Sequence, residues 1–71
     1  MKYHFSLNMT SQEYLPYYQG LANSIVVVAD EGVKVEFPAM HLRQFLTSTG
    51  IKGYFCLQTQ DNKFLSLDKI F

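Results

Sequence analysis

The sequence predicts a small α+β domain: an antiparallel five-stranded sheet, curled or drawn into an SH3-like or OB-like partial barrel, with two short helices in the order β-α-β-β-α-β-β. Three observations lead there. Apolar residues alternate at period two in four separate stretches, the mark of half-buried strands. Two clusters of turn chemistry, Asp30-Glu31-Gly32 and Asp61-Asn62-Lys63, join strands closely enough for hairpins. No long crossover helix separates consecutive strands, as a parallel sheet would require.

Tyr3, Phe5 and Leu7, separated by His4 and Ser6, form the first strand with one buried face. The period then changes. Thr10-Ser11-Gln12-Glu13 has the form of a capping box, and Met9 with Tyr14 occupies the positions of a hydrophobic staple. Helical spacing places Tyr14, Tyr18 and Leu21, with Leu15 beside them, on the core face and turns Tyr17 outward; Gly20 or Asn23 ends the element. Pro16 has no N–H to give the Gln12 carbonyl, which predicts a short helix that is kinked or partly 3₁₀.

Ser24-Ile25-Val26-Val27-Val28-Ala29 is a continuous, largely β-branched run and reads as a strand covered on both faces. Its hairpin partner alternates Val33, Val35 and Phe37 with Lys34 and Glu36, so that strand is half exposed. Pro38 suits the first position of a second helix, along which Ala39, Leu42, Phe45 and Leu46 share a face and leave Met40, Arg43 and Gln44 outside. After a Thr47-Ser48-Thr49-Gly50 loop, Ile51, Gly53, Phe55 and Leu57 alternate with Lys52, Tyr54, Cys56 and Gln58. Gly53 on the buried side permits a sharp bend or a close backbone approach. Phe64 to Ile70 completes the sheet, with Leu65 and Leu67 on one face.

Seventy-one residues make one domain, 1–71, with no room for a second core. At 48% hydrophobic and 17% charged residues the chain is globular rather than disordered. The apolar burial available to so short a chain is worth about as much as the ordering entropy it must offset, on the order of 110 kcal/mol each. That balance favours added burial against a second copy, so a homodimer is expected. Six basic residues balance six acidic ones, which removes the cationic excess that normally supplies nucleic-acid affinity. The alternating N-terminal stretch lacks the apolar core of a signal peptide, and no run is long enough to span a bilayer. A cytoplasmic location with no membrane contact is the expectation.

The chemistry-bearing residues are sparse. Cys56 is the lone cysteine and reads as a small apolar filler. His4, His41 and Cys56 exhaust the soft metal ligands, and no two of them have the spacing of a zinc site, so neither a metal nor another cofactor is expected. Nucleophilic catalysis would need a histidine with an orienting acid, and both histidines fall on ordinary solvated faces; the carboxylates serve caps, turns and surface. No catalytic residue is assigned, and the protein is expected not to be an enzyme. Lys52-Gly53-Tyr54 followed by Leu57 resembles the start of the RNA-recognition octapeptide, and Gly50-Ile51-Lys52-Gly53 spells a GXXG loop. Phe55, Cys56 and Thr59 depart from the octapeptide, and the GXXG here opens a strand instead of joining two helices.

What is left for recognition is a group of polar-tipped side chains. Tyr17 and Tyr54 join a large apolar area to a hydroxyl, the habit of interface residues, and His41 and Arg43 add a polar patch able to dock a carboxylate or phosphate. These four are the candidate partner-binding surface.

Taken together, Glu13 to Gly20, Phe37 to Thr47 and Gly50 to Phe55 resemble a family of short, uncharacterised bacterial proteins classed as a domain of unknown function, most specifically in the Phe-Pro-Ala-x-His-Leu-Arg-x-Phe stretch at Phe37 to Phe45. The resemblance implies a bacterial, stand-alone single domain and carries no activity or site with it. The expected role is a small non-enzymatic binding or scaffolding protein that self-associates. The alternatives are a nucleic-acid-binding module of OB or SH3-like type and, third, a small enzyme.

Overall fold

The computed structural model describes residues 1–71. Its elements are β1 (Lys2–Met9), α1 (Ser11–Tyr18), β2 (Ser24–Val28), β3 (Lys34–Pro38), a 3₁₀ helix (Ala39–Phe45), β4 (Ile51–Gln60) and β5 (Lys63–Lys69). All strand pairs are antiparallel, as the hairpin signals predict, but the strands form two sheets instead of one. A three-stranded sheet runs β1-β4-β5, a two-stranded ribbon pairs β2 with β3, and the whole is not closed into a barrel. The reason lies at the edge of β1. Only the Asp30 N–H, donating to the His4 carbonyl at 2.8 Å, bridges the ribbon to that edge by backbone hydrogen bonding. Elsewhere the two sheets are joined by side chains: Phe5 meets Phe55 across the three-stranded sheet at 5.5 Å and Phe37 of the ribbon at 5.9 Å between ring centroids.

The capping box forms as predicted. Thr10 Oγ1 accepts from the Glu13 N–H at 3.1 Å, and Glu13 Oε1 accepts from the Thr10 N–H at 2.9 Å. Pro16 does not convert α1 to 3₁₀; the helix is α over all eight residues. Gln12, whose carbonyl loses its donor to the proline, lies on the exposed side where water can replace it. The far end closes by a Schellman arrangement: Leu21 N–H donates to the Pro16 carbonyl at 2.9 Å and Gly20 N–H to the Tyr17 carbonyl at 3.2 Å. Gly20, at φ +79, supplies the left-handed residue this closure needs.

Two strand readings need correction. β2 is not covered on both faces. Ile25 and Val27 are buried, while Val26 and Val28 stand 56% and 58% exposed, because each pairs with a charged residue of β3, Val26 with Glu36 and Val28 with Lys34. On β5, Leu67 is buried but Leu65 is exposed, and Phe64 packs on the core instead. A bulge opposite Gln58 and Thr59 pairs Thr59 with Phe64, so the residue between it and Ser66 falls out of the alternation. The turn between β4 and β5 has Asp61 and Asn62 at φ 53 and 63, the two left-handed residues of a type I′ hairpin.

The second helix is 3₁₀ throughout, with Pro38 as its N-cap and the last residue of β3, one position before the predicted place. Ala39 and Leu42 are buried and Phe45 packs on the core, an i, i+3, i+6 spacing that three residues per turn align on one face. The loop that follows ends at Gly50, φ +116, where a Cβ would sit 2.1 Å from the Met9 carbonyl oxygen. That backbone contact leaves room for glycine alone. Gly53 also makes the predicted close approach, its missing Cβ replaced by the Phe71 carbonyl and the Lys69 side chain. The core formed by these elements centres on Phe5, Tyr14, Phe37, Leu42, Phe55 and Leu57.

Candidate functional site

The four candidate surface residues do not gather at one place. Tyr17, Arg43 and His41 lie on the helical side of the molecule, while Tyr54 belongs to the outer face of the three-stranded sheet.

On the helical side, α1 buries Tyr14 rather than a Tyr14–Tyr18 pair. Tyr14 is fully buried and donates its hydroxyl to the Ala39 carbonyl at 2.8 Å, tying α1 to the 3₁₀ helix. Burial pushes its phenol pKa up, and the Arg43 guanidinium pulls in the opposite direction. Tyr17, expected outside, is half-buried with its ring 5.7 Å from that of Tyr14. The inward face of the short helix therefore runs i, i+3, and Tyr18 takes the outward position at 53% exposed, with Leu15 and Leu21 also exposed and not in the core. Arg43 lies over the Tyr18 ring at 4.8 Å and donates to the Tyr18 carbonyl at 3.4 Å, a cation–π contact anchored at its edge. His41 is not a solvated turn residue. Its ring lies flat on Phe64 of β5, centroids 3.6 Å apart and planes within 5°. Neither contact was read from the sequence: helical spacing set Tyr18 on the core face, away from Arg43, and the His41–Phe64 stack depends on the β5 bulge.

On the sheet side, the register sets Ser6 opposite Tyr54, His4 opposite Cys56 and Asn8 opposite Lys52. Tyr54 lies between two rings, His4 at 5.9 Å and Phe71 at 5.4 Å, both within 20° of parallel. Its hydroxyl donates to the carboxylate of Asp30 in the β2–β3 hairpin. That bond and the negative charge push the Tyr54 phenol upward. An open groove of about 410 Å³ adjoins the row, with Ser6, Asn8, Lys52, Tyr54 and Phe71 in its walls. Cys56 is buried as a free thiol. No three His, Cys, Asp or Glu side chains come together in a group that could hold a metal ion.

A third surface was missed in the sequence: the solvent face of the β2–β3 ribbon, where Val26 and Val28 stand beside Glu36 and Lys34. Its signal was present in the alternation of Lys34 and Glu36, since a hairpin partner shares its faces residue by residue. Ser24 Oγ donates to Glu36 Oε2 at 2.7 Å across this face.

No helix is long and apolar enough to cross a membrane. Among known proteins, a family model described as "Protein of unknown function (DUF2835)" matches residues 1–70, in agreement with the resemblance to a short uncharacterised family. No curated protein matches, and no solved structure does.

Proposed function

The chain belongs to the DUF2835 family, whose function is unknown, and we propose that it is a non-enzymatic, cytoplasmic binding or scaffolding protein that works as a homodimer. One observation carries this reading. The monomer fully buries ten large hydrophobic side chains, beside Ala29, Ala39 and Cys56, and leaves 11 large ones between 45% and 80% exposed, so as many large apolar side chains face water as are fully buried. Scattered apolar residues are ordinary on a surface. Here, however, Leu15 and Tyr18 fall on one outward side of α1 and Val26 and Val28 on one face of the ribbon. The test is sedimentation equilibrium from about 10 μM to about 1 mM, a range that captures micromolar to weak dimers. A mass rising from monomer to dimer supports the proposal, and a strictly monomeric mass throughout ends it.

A second reading, a nucleic-acid-binding module of SH3-like or OB-like type, draws on the His4–Tyr54–Phe71 row across the outer face of the three-stranded sheet. Neutral net charge weighs against it. Titration of labelled single-stranded DNA and RNA at about 50 mM salt decides the matter, because even weak electrostatic binders register there.

A further inference from the structure

We infer that the second copy docks on the solvent face of the β2–β3 ribbon, two such faces packing against each other about a twofold axis that lies in the interface and runs across the strands. The inference rests on the self-association proposed above and names its surface.

The face is set by register. Cross-strand pairs place Val28 beside Lys34 and, in the next row on that face, Val26 beside Glu36. Both valines are more than half exposed, and the two charged residues are exposed as well. Each of these two rows thus holds one valine on β2 and one charge on β3, the charges in the two rows are opposite, and the third row on the face is Ser24 beside Pro38.

That pattern is self-complementary under one kind of twofold. An axis across the strands, midway between the rows, keeps β2 over β2 and β3 over β3 while exchanging the rows. Val28 then meets Val26 of the second copy, and Lys34 meets Glu36 of the second copy, each contact occurring twice. The arrangement places apolar on apolar and positive on negative throughout the two rows. An axis along the strands fails instead, since it lays the valines of β2 over the charges of β3. Facing sheets pack about 10 Å apart, a gap that Lys34 and Glu36 side chains can close from both sides. The Ser24 hydroxyl holds one oxygen of Glu36 and thereby fixes the carboxylate on this face. A footprint of two short strands belongs to the small interface class, below about 1,200 Å² in total, so the dimer is expected to be weak and to loosen as salt screens its ion pairs.

The experiment is a charge swap followed by sedimentation equilibrium at low salt, on the full chain. Lys34→Glu and Glu36→Lys each set like charges against each other and are expected to weaken association about tenfold or more. The double variant Lys34→Glu/Glu36→Lys restores the pattern with reversed signs and is expected to dimerise like the parent. An equimolar mixture of the two single variants is expected to form a mixed dimer, because one copy then carries two acids and the other two bases. Both positions are exposed, and circular dichroism verifies that each variant is folded. A parent that dimerises together with single variants that dimerise equally well overturns this interface and leaves self-association standing. The interface is likewise overturned if the double variant stays monomeric. A parent that is monomeric at every concentration overturns both.

Discussion

Tyr14 and Tyr54 make nearly the same bond in opposite surroundings. Each donates its hydroxyl to an acceptor more than 20 residues away, and each holds its proton more tightly than a free tyrosine does. Tyr14 does so at the centre of the core, against a backbone carbonyl that has water excluded from it, and its pKa rises because burial penalises the phenolate. Tyr54 does so on the outer face of the sheet, against a carboxylate, and its pKa rises first because that carboxylate accepts a hydrogen bond from the neutral phenol. The contrast teaches that a hydrogen bond's weight comes from what replaces it when it is broken. At Tyr54 water stands ready; at Tyr14 nothing does.

The sharpest way to break the comparison is truncation. Tyr14→Ala removes a ring from the centre of the core and strands the Ala39 carbonyl, and is expected to cost about 3–5 kcal/mol in urea unfolding; Tyr54→Ala, which loses two surface stacking contacts, is expected to cost about 1–2 kcal/mol. Equal losses would dissolve the distinction. A smaller effect comes with alkali. In both sites the native state favours the neutral phenol, so the stability these groups contribute is intact below pH ~10, where the unfolded phenol ionises, and is lost as pH rises through their raised values. Thermal melts from about pH 9 to 12 are expected to fall in the parent and to fall less steeply in Tyr14→Phe. The smallest effect belongs to Asp30→Asn, which removes the carboxylate from Tyr54. Absorbance titration is expected to show one tyrosine moving down toward the ordinary value near 10, with Tyr14 unmoved and the fold intact.

The same division explains what could be read from the chain. Where a residue's environment is decided by its immediate neighbours, the sequence was enough: the Thr10–Glu13 capping box, the Gly20 closure of α1 and the inward face Phe5, Phe55 and Leu57 all follow from local pattern. Where placement depends on a partner element, it was not. Tyr17 and Tyr18 differ by one position on a helix of eight residues, and which of them packs inward is decided by the neighbours α1 meets, not by the helix's own short periodicity. His41 finds Phe64 only because a bulge in the last hairpin turns that ring toward it. The single curled sheet failed for a related reason. Hairpin signals report which strands pair next to each other along the chain, but nothing local says that β1 would leave its edge to one Asp30 bond. Of the candidate surface, Arg43 was legible as an exposed polar-tipped residue and Tyr54 as lying off the core face, where it is half-buried between two rings, whereas the valines of the ribbon were hidden inside an apolar run.

β1 pairs with β4 over residues more than 40 positions apart, whereas both hairpins close within a few residues of their turns. Loop closure therefore orders the folding events in time. The ribbon and the β4–β5 hairpin each close over a short turn, while Phe5 and Leu7 must wait, unpaired and apolar, until β4 has been made and has found them across more than 40 residues of chain. The slow step of folding, and the interval in which a newly made chain is most exposed to misassociation, lies in that one ladder.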